Sequence, residues 1–158
     1  NTATGVARAV RSADGTKLMF ADGANWAGTV VADANLALTN LTDAAEPATV
    51  TVAALRFEGG FPIRVWPVAQ KADQVRITES VVKVSGGFAP VVMGEGELAR
   101  GDAFVIGSCP AAALAGTTMR SWTVGPWKIA ADDSATPGIK ILKLVYSPLP
   151  QGFKAFVK

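Results

Sequence analysis

The sequence has no histidine among its 158 residues, a single cysteine and a single tyrosine. The missing imidazole removes the commonest general base, every Ser-His or Cys-His nucleophile pair and most zinc sites. The lone Cys109 can form neither an internal disulfide nor a paired-cysteine redox or metal site, so a disulfide scaffold and a zinc module are both excluded. It precedes Pro110 in an apolar setting with no local cation to lower its pKa, and reads as a buried, inert thiol. Charge is scarce too: 15 basic and 13 acidic side chains make up 18% of the chain, where a soluble domain of this length carries roughly 40 charged residues on average. Long apolar runs are absent. Although 49% of residues are apolar, no stretch approaches the roughly 18–20 consecutive apolar residues of a membrane helix. The longest, residues 109–119, is broken by Pro110, Gly116 and Thr117. A membrane helix and a disordered chain are thereby excluded.

What charge there is lies unevenly. Residues 1–53 hold three basic and five acidic side chains, residues 54–158 twelve and eight. From Ser134 onward there is no acid, only Lys140, Lys143, Lys154 and Lys158. That mild basic end suits a solubilising terminus better than a nucleic-acid groove, so polyanion contact is weakly supported. The sequence opens at Asn1 with no signal-peptide pattern, which fits either a trimmed precursor or a numbering that starts late. Asn40-Leu41-Thr42 matches a glycosylation sequon, a pattern short enough to arise by chance.

Period-two alternation bounded by turn residues dominates the chain. Residues 4–12, 16–21 and 28–32, separated by Asp14-Gly15 and Asp22-Gly23, predict a three-stranded meander. Residues 33–46 fit either a helix, with Ala34, Leu38, Leu41 and Ala45 on one face, or a strand followed by a turn. Strands are predicted at 48–57, 61–69 and 74–85, with Gly59-Gly60 and Lys71-Ala72-Asp73 between them. Within 74–85 the apolar phase moves from Val75 and Ile77 to Val82 and Val84, which predicts a bulge near residues 79–81. Further strands follow at 88–93, 103–108, 118–124, 127–131 and 138–147, with a short helical turn at 110–115. Residues 139–146 are apolar on both faces apart from Lys140 and Lys143 and predict an internal strand, with Leu142 and Leu144 facing outward. The expectation is an all-β single domain over residues 1–158: a β-sandwich or jelly-roll-like barrel of about ten short antiparallel strands with one or two short helical turns.

Few motifs carry chemistry. Gly94-Glu95-Gly96-Glu97-Leu98-Ala99 matches a dinucleotide fingerprint, but two glutamates would face the pyrophosphate and no acid follows at the required distance, so a turn explains it. Arg100-Gly101-Asp102 spells an adhesion tripeptide in a turn, where Gly-Asp needs no receptor. Glu58, Glu79, Glu95, Glu97, Asp132 and Asp133 could supply a carboxylate pair, yet nothing sets two of them at a working separation. No catalytic residue, cofactor or metal site is expected. Trp66, Trp122 and Trp127 are candidates for an aromatic platform, with Trp122 and Trp127 flanking Gly125-Pro126. After the strand ending near Tyr146, Pro148 and Pro150 break the sheet pattern, and Phe153, Lys154, Phe156 and Lys158 resume an apolar and basic alternation. Residues 147–158 thus read as an arm that docks on a neighbour, or as a final strand on the chain's own sheet.

In composition and pattern the whole chain resembles the small all-β subunits of viruses and phages, such as single jelly-roll coats, capsid cement proteins and tail-tube subunits, and it is similar to exported fibre subunits. That resemblance implies a non-enzymatic structural subunit, in a virion or extracellular, whose partners are copies of itself and other particle subunits and not a membrane. The reading from another class is a secreted module that binds a carbohydrate or a protein through its tryptophans.

Overall fold

A computed structural model describes residues 5–7, 18–115, 122–123 and 125–148 of the chain. In chain order the strands are β1 (Val6–Ala7), β2 (Leu18–Ala21), β3 (Asn25–Ala32), β4 (Leu36–Thr39), β5 (Thr49–Trp66), β6 (Lys71–Ala72), β7 (Gln74–Val92), β8 (Ala103–Pro110), β9 (Trp127–Asp133) and β10 (Ile139–Tyr146). A 3-10 turn spans Ala111–Leu114. It starts after Pro110, whose φ of −61° and missing N–H suit the entry to such a turn. Residues 33–46 adopt the strand-and-turn alternative, β4 followed by a loop. Among the described residues no helix is long and apolar enough to cross a membrane.

The antiparallel sandwich or jelly-roll expectation is overturned by strand direction. The main sheet runs β1-β3-β5-β7-β8-β10-β9, and every pairing from β1 to β8 along it is parallel. β2 and β4 form a second, parallel pair. The expected meander is absent for the same reason: β2 and β3 lie in different sheets, and Asp22-Gly23 carries the chain from one to the other instead of closing a hairpin. Antiparallel pairing among the described residues is confined to the short β5-β6 pair and the β8-β10-β9 end. There the expectation of an internal strand holds, because β10 lies between β8 and β9. Its outward face was misassigned, however. Leu142 and Leu144 are fully buried, while Ile141 and Val145 take the half-buried side.

Parallel neighbours that follow one another in sequence require the chain to come back to its starting side, and β5 shows how it does so. Thr49 at its start pairs with Gln74, while Trp66 at its end pairs antiparallel with Lys71, only three residues before Gln74. Fully extended, an 18-residue strand would separate its ends by roughly 60 Å. The three residues from Lys71 to Gln74 bridge no more than about 11 Å. β5 must therefore fold back into a U, with an outgoing limb, a corner and a returning limb. β7 repeats that U beneath it, pairing with both limbs from Thr49↔Gln74 to Val65↔Val92. The unit is a coil of about 25 residues: Ala7 pairs with Val30, Val30 with Leu55, and Leu55 with Val81.

The corner is made of glycine. Gly59 pairs with Gly86 and Gly60 with Gly87. A Cβ placed on Gly86, at φ +73°, would lie 2.1 Å from the carbonyl carbon and oxygen of Gly59, so the two coils touch there backbone to backbone. Directly beyond the corner Phe61 pairs with Phe88. Phe88 meets Phe57 edge-on at 5.0 Å between ring centroids, and Trp122 closes on Phe57 at 6.3 Å. The two limbs thus enclose one core, in which Val50, Val52, Leu55 and Phe57 of the outgoing limb are buried together with Phe61, Ile63 and Val65 of the returning limb.

Candidate assembly surface

Where the coil stack is tied shut, its polar groups are consumed. Asp73 is the one buried charged residue among those described. Its carboxylate accepts 2.9 Å hydrogen bonds from the backbone N–H groups of Ala48 and Arg64 and from Nε and Nη2 of Arg64. The same guanidinium donates from Nη1 to the carbonyl of Ala44 at 3.0 Å and lies 5.0 Å from the centroid of Trp66. This clasp joins the loop before β5, the returning limb of β5 and the turn into β7. Buried charge is tolerated in such a place because it is both paired and fully hydrogen-bonded. Lys71 and Glu46 add an exposed bridge at 2.8 Å across the same turns.

Of the six carboxylates considered for chemistry, three are held in ion pairs. Glu58 pairs with Arg56 at 2.7 Å, Asp132 with Lys143 at 2.7 Å, and Asp133 with Lys140. The hydrogen bond and charge of Lys140 hold the Asp133 carboxyl below the usual range. These pairs also neutralise two of the four lysines in the basic end, while Lys154 and Lys158 lie outside the described residues. Glu79, Glu95 and Glu97 are exposed on a strand and a loop. Among the described residues no group of three His, Cys, Asp or Glu is placed to hold a metal ion.

The remaining motifs resolve into turns. No helix follows Gly94 or Gly96, so there is no helix N-terminus to meet a phosphate. In Arg100-Gly101-Asp102 the aspartate carboxylate accepts from Ala99 N–H at 2.9 Å and closes its own turn. The Asn40 amide donates to Pro47 O at 3.0 Å and accepts from Thr42 N–H at 3.0 Å, so the sequon asparagine serves its loop. Cys109 is buried, and burial pushes its thiol pKa up. A shallow groove of about 420 Å³ beside the β9–β10 turn is lined by Asp133, Ser134, Thr136 and Lys140 among others. Its polar groups are engaged locally, with Ser134 Oγ donating to Ile139 O at 2.8 Å.

The proposed aromatic platform does not face solvent: Trp66, Trp122 and Trp127 are exposed by no more than 9%. Trp127 packs edge-on against Tyr146 and tilts against Phe104, at 5.2 and 6.1 Å between centroids. Of the proposed arm, Pro148 is described, while Pro150, Phe153, Lys154, Phe156 and Lys158 lie outside the described residues.

Among the described residues the surface presents several large apolar side chains, four of them on β7. β7 carries Val82 and Val84, exposed by 48% and 58%, and further along Val91 and Val92. The cause is local. Where β5 advances from Val52 to Ala54, β7 advances from Ile77 to Ser80, and a second extra residue enters between Lys83 and Ser85. The bulge expected near residues 79–81 is thus present, but Val81 takes the core position and residues 82–85 swing outward. Beside Val82 in the ladder stands Arg56, already paired with Glu58, so the patch is apolar with an ion pair at its border. Sequence reasoning missed this surface because Val82 and Val84 read as core.

No known family model matches the chain, and no curated protein is significantly similar to it.

Proposed function

We propose that this chain is a non-enzymatic structural subunit that assembles with copies of itself into an elongated part of a virus or phage particle, or into an exported fibre. The observation that carries this reading is the exposed pair Val82 and Val84 on the outgoing limb of β7, with Val91 and Val92 exposed separately on its returning limb, in a chain short of about a dozen charges. Soluble monomers seldom leave apolar side chains clustered along one element without a partner. A stack of coils grows along one axis, which suits a tube or fibre better than a closed jelly-roll shell. The segment of residues 147–158 would add a bridging contact between copies, as arms do. The pairing of Glu58, Asp132 and Asp133 with neighbouring cations and the burial of the three tryptophans favour this reading over a carboxylate enzyme or an aromatic ligand platform.

The test is the native mass of the Val82→Asp, Val84→Asp double variant, by sedimentation or light scattering. Both positions are exposed, so the variant should keep its melting temperature within a few degrees. Assembly should fall to the 16.3 kDa single chain. A variant that assembles as well as the parent removes the valine pair from the interface.

A further inference from the structure

Between two fixed points β7 has slack. Val52 and Ile77, both buried, pair on the outgoing limbs, and Gly59 pairs with Gly86 at the corner, where the two backbones touch. β5 covers that distance in seven steps (52 to 59) and β7 in nine (77 to 86), so β7 must place two extra residues on the way. One lies between Ile77 and Ser80, and the other is Val84, which the ladder skips. The second placement is a poor one, because it sets the exposed Lys83 opposite Phe57, which is 0% exposed, and leaves Val84 outside at 58%. If residues 81–84 slide by one position, both extra residues lie before Val82, and the ladder becomes Leu55↔Val82, Arg56↔Lys83 and Phe57↔Val84. Neither fixed point moves. A one-residue slip reverses the facing of every side chain in the segment, so Val82 and Val84 enter the core while Val81 and Lys83 turn outward. Val82 then replaces Val81 beside Leu55, an exchange that conserves volume. Lys83 comes out next to the Arg56–Glu58 ion pair.

We propose that residues 81–84 form a register switch: the free chain exchanges between the register of the structure, with Val82 and Val84 outside, and the slid register that buries both, and contact with another copy selects the outward one. The proposal rests on the self-assembly reading for what does the selecting. The slide itself stands on β5 and β7 alone, both described from end to end. Each register satisfies something the other does not. The inward one buries two valines in place of one and takes a lysine off a core position; the outward one spreads its extra residues as two single bulges, the ordinary kind. The adjacent, identical side chains of Val81 and Val82 let the same core site accept either register. A second copy that binds only the outward form shifts the population toward it. The apolar pair is thereby kept from water in part of the free population and presented when a partner is there to cover it.

Two measurements on the full chain test the switch. The first is the melting of Val81→Asp. Held in a single register, the aspartate would lie in the core, where Val81 is 6% exposed, and the cooperative transition would be lost. With the switch the segment slides, Val82 and Val84 fill the core, and the variant should melt within about 5 °C of the parent. Val75→Asp is the control, since Val75 is 2% exposed and lies before the slack, so that chain should lose its transition either way. Equal loss in the two variants overturns the proposal. The second measurement oxidises two cysteine pairs in a Cys109→Ala background, Arg56→Cys with Val82→Cys and Arg56→Cys with Lys83→Cys, in dilute solution and again where light scattering shows assembly. A 56–82 bridge reports the outward register and a 56–83 bridge the inward one. Both are expected in the dilute chain, and assembly should lower the 56–83 yield about fivefold or more. A 56–82 bridge alone, or a 56–83 yield that assembly leaves unchanged, overturns the switch, and self-assembly is then judged separately by the mass of the Val82 and Val84 variant. A chain that forms the 56–83 bridge but stays at 16.3 kDa at every concentration overturns the self-assembly reading and supports the slide.

Discussion

A Gly86→Val chain is expected to lose its cooperative unfolding transition, or to melt more than 10 °C below the parent, when followed by circular dichroism (an effect of roughly 4 kcal/mol or more). Two costs add. The residue sits at φ +73°, which a branched L side chain adopts at a cost of about 1–2 kcal/mol. The Cβ then points at the Gly59 carbonyl from 2.1 Å, and backbone cannot rotate aside as a side chain can. Relief requires the two coils to separate at their corner, which breaks the ladder on either side of it. Gly94→Ala carries the first cost alone, because Gly94 has nearly the same φ, +72°, with nothing within 4 Å of the added carbon. That variant should lose only the 1–2 kcal/mol of backbone strain. Equal losses from the two variants would mean that the coils do not touch at Gly59.

Asp73→Ala should cost about 3–5 kcal/mol and lower the melting temperature by on the order of 10 °C. The substitution strands the Arg64 guanidinium, 15% exposed, against the clasp and leaves the Ala48 and Arg64 amides without their acceptor. Removal of one partner from a buried, hydrogen-bonded pair costs more than the pair itself contributes, because the charge left behind is not resolvated. Lys71→Ala is the contrast. Its bridge to Glu46 joins side chains that are 33% and 49% exposed, so its loss should stay below about 1 kcal/mol. If the two variants melt together, the Asp73 network is not the clasp described.

Much of this fold was legible locally and hidden globally. The 3-10 turn after Pro110, the bulge in β7 and the internal position of β10 follow from turn chemistry and period-two patterning, whereas residues 33–46 left a helix and a strand-and-turn both open. Strand direction does not, and the reason is physical. Parallel sheets usually carry helices on both faces and read as unbroken apolar runs. In a coil stack only one face of each limb is covered, so β5 alternates buried and half-buried positions as an antiparallel strand would. Gly59-Gly60 then resembles a hairpin turn, although the chain runs through it in extended pairing. The signal that discriminates is a repeat: Gly59-Gly60-Phe61 returns as Gly86-Gly87-Phe88 after 27 residues, which is the pairing offset at the corner. With two copies and a following coil whose offset lengthens to 32 residues at Val75↔Gly107, that period is easily passed over.

The exposed valines of the proposed assembly surface were hidden for a related reason. Val81 and Val82 are adjacent and chemically equal, and only the bulge decides which of them enters the core. The Asp73 clasp left no trace either, since Lys71-Ala72-Asp73 between two strands has the composition of any exposed turn. The opening shortage of charge foretold exposed apolar surface, but that surface was placed on the wrong strand, at Leu142 and Leu144 of β10, which are buried.

The parallel register between β5 and β7 underlies the coil, the glycine corner and the exposed valine pair, and it can be read directly by a disulfide. Thr51 and Arg76 are paired neighbours on the two strands, away from Val82 and Val84. Adjacent strands lie about 4.8 Å apart, within the span a disulfide bridges. Oxidation of the Thr51→Cys, Arg76→Cys variant in a Cys109→Ala background should give an intramolecular bridge in the folded chain, with the melting temperature raised or unchanged. In an antiparallel meander the intervening strand would hold the two positions about 10 Å apart, beyond the reach of the bond. A folded variant that stays reduced, or that crosslinks only between chains, would contradict the parallel coil.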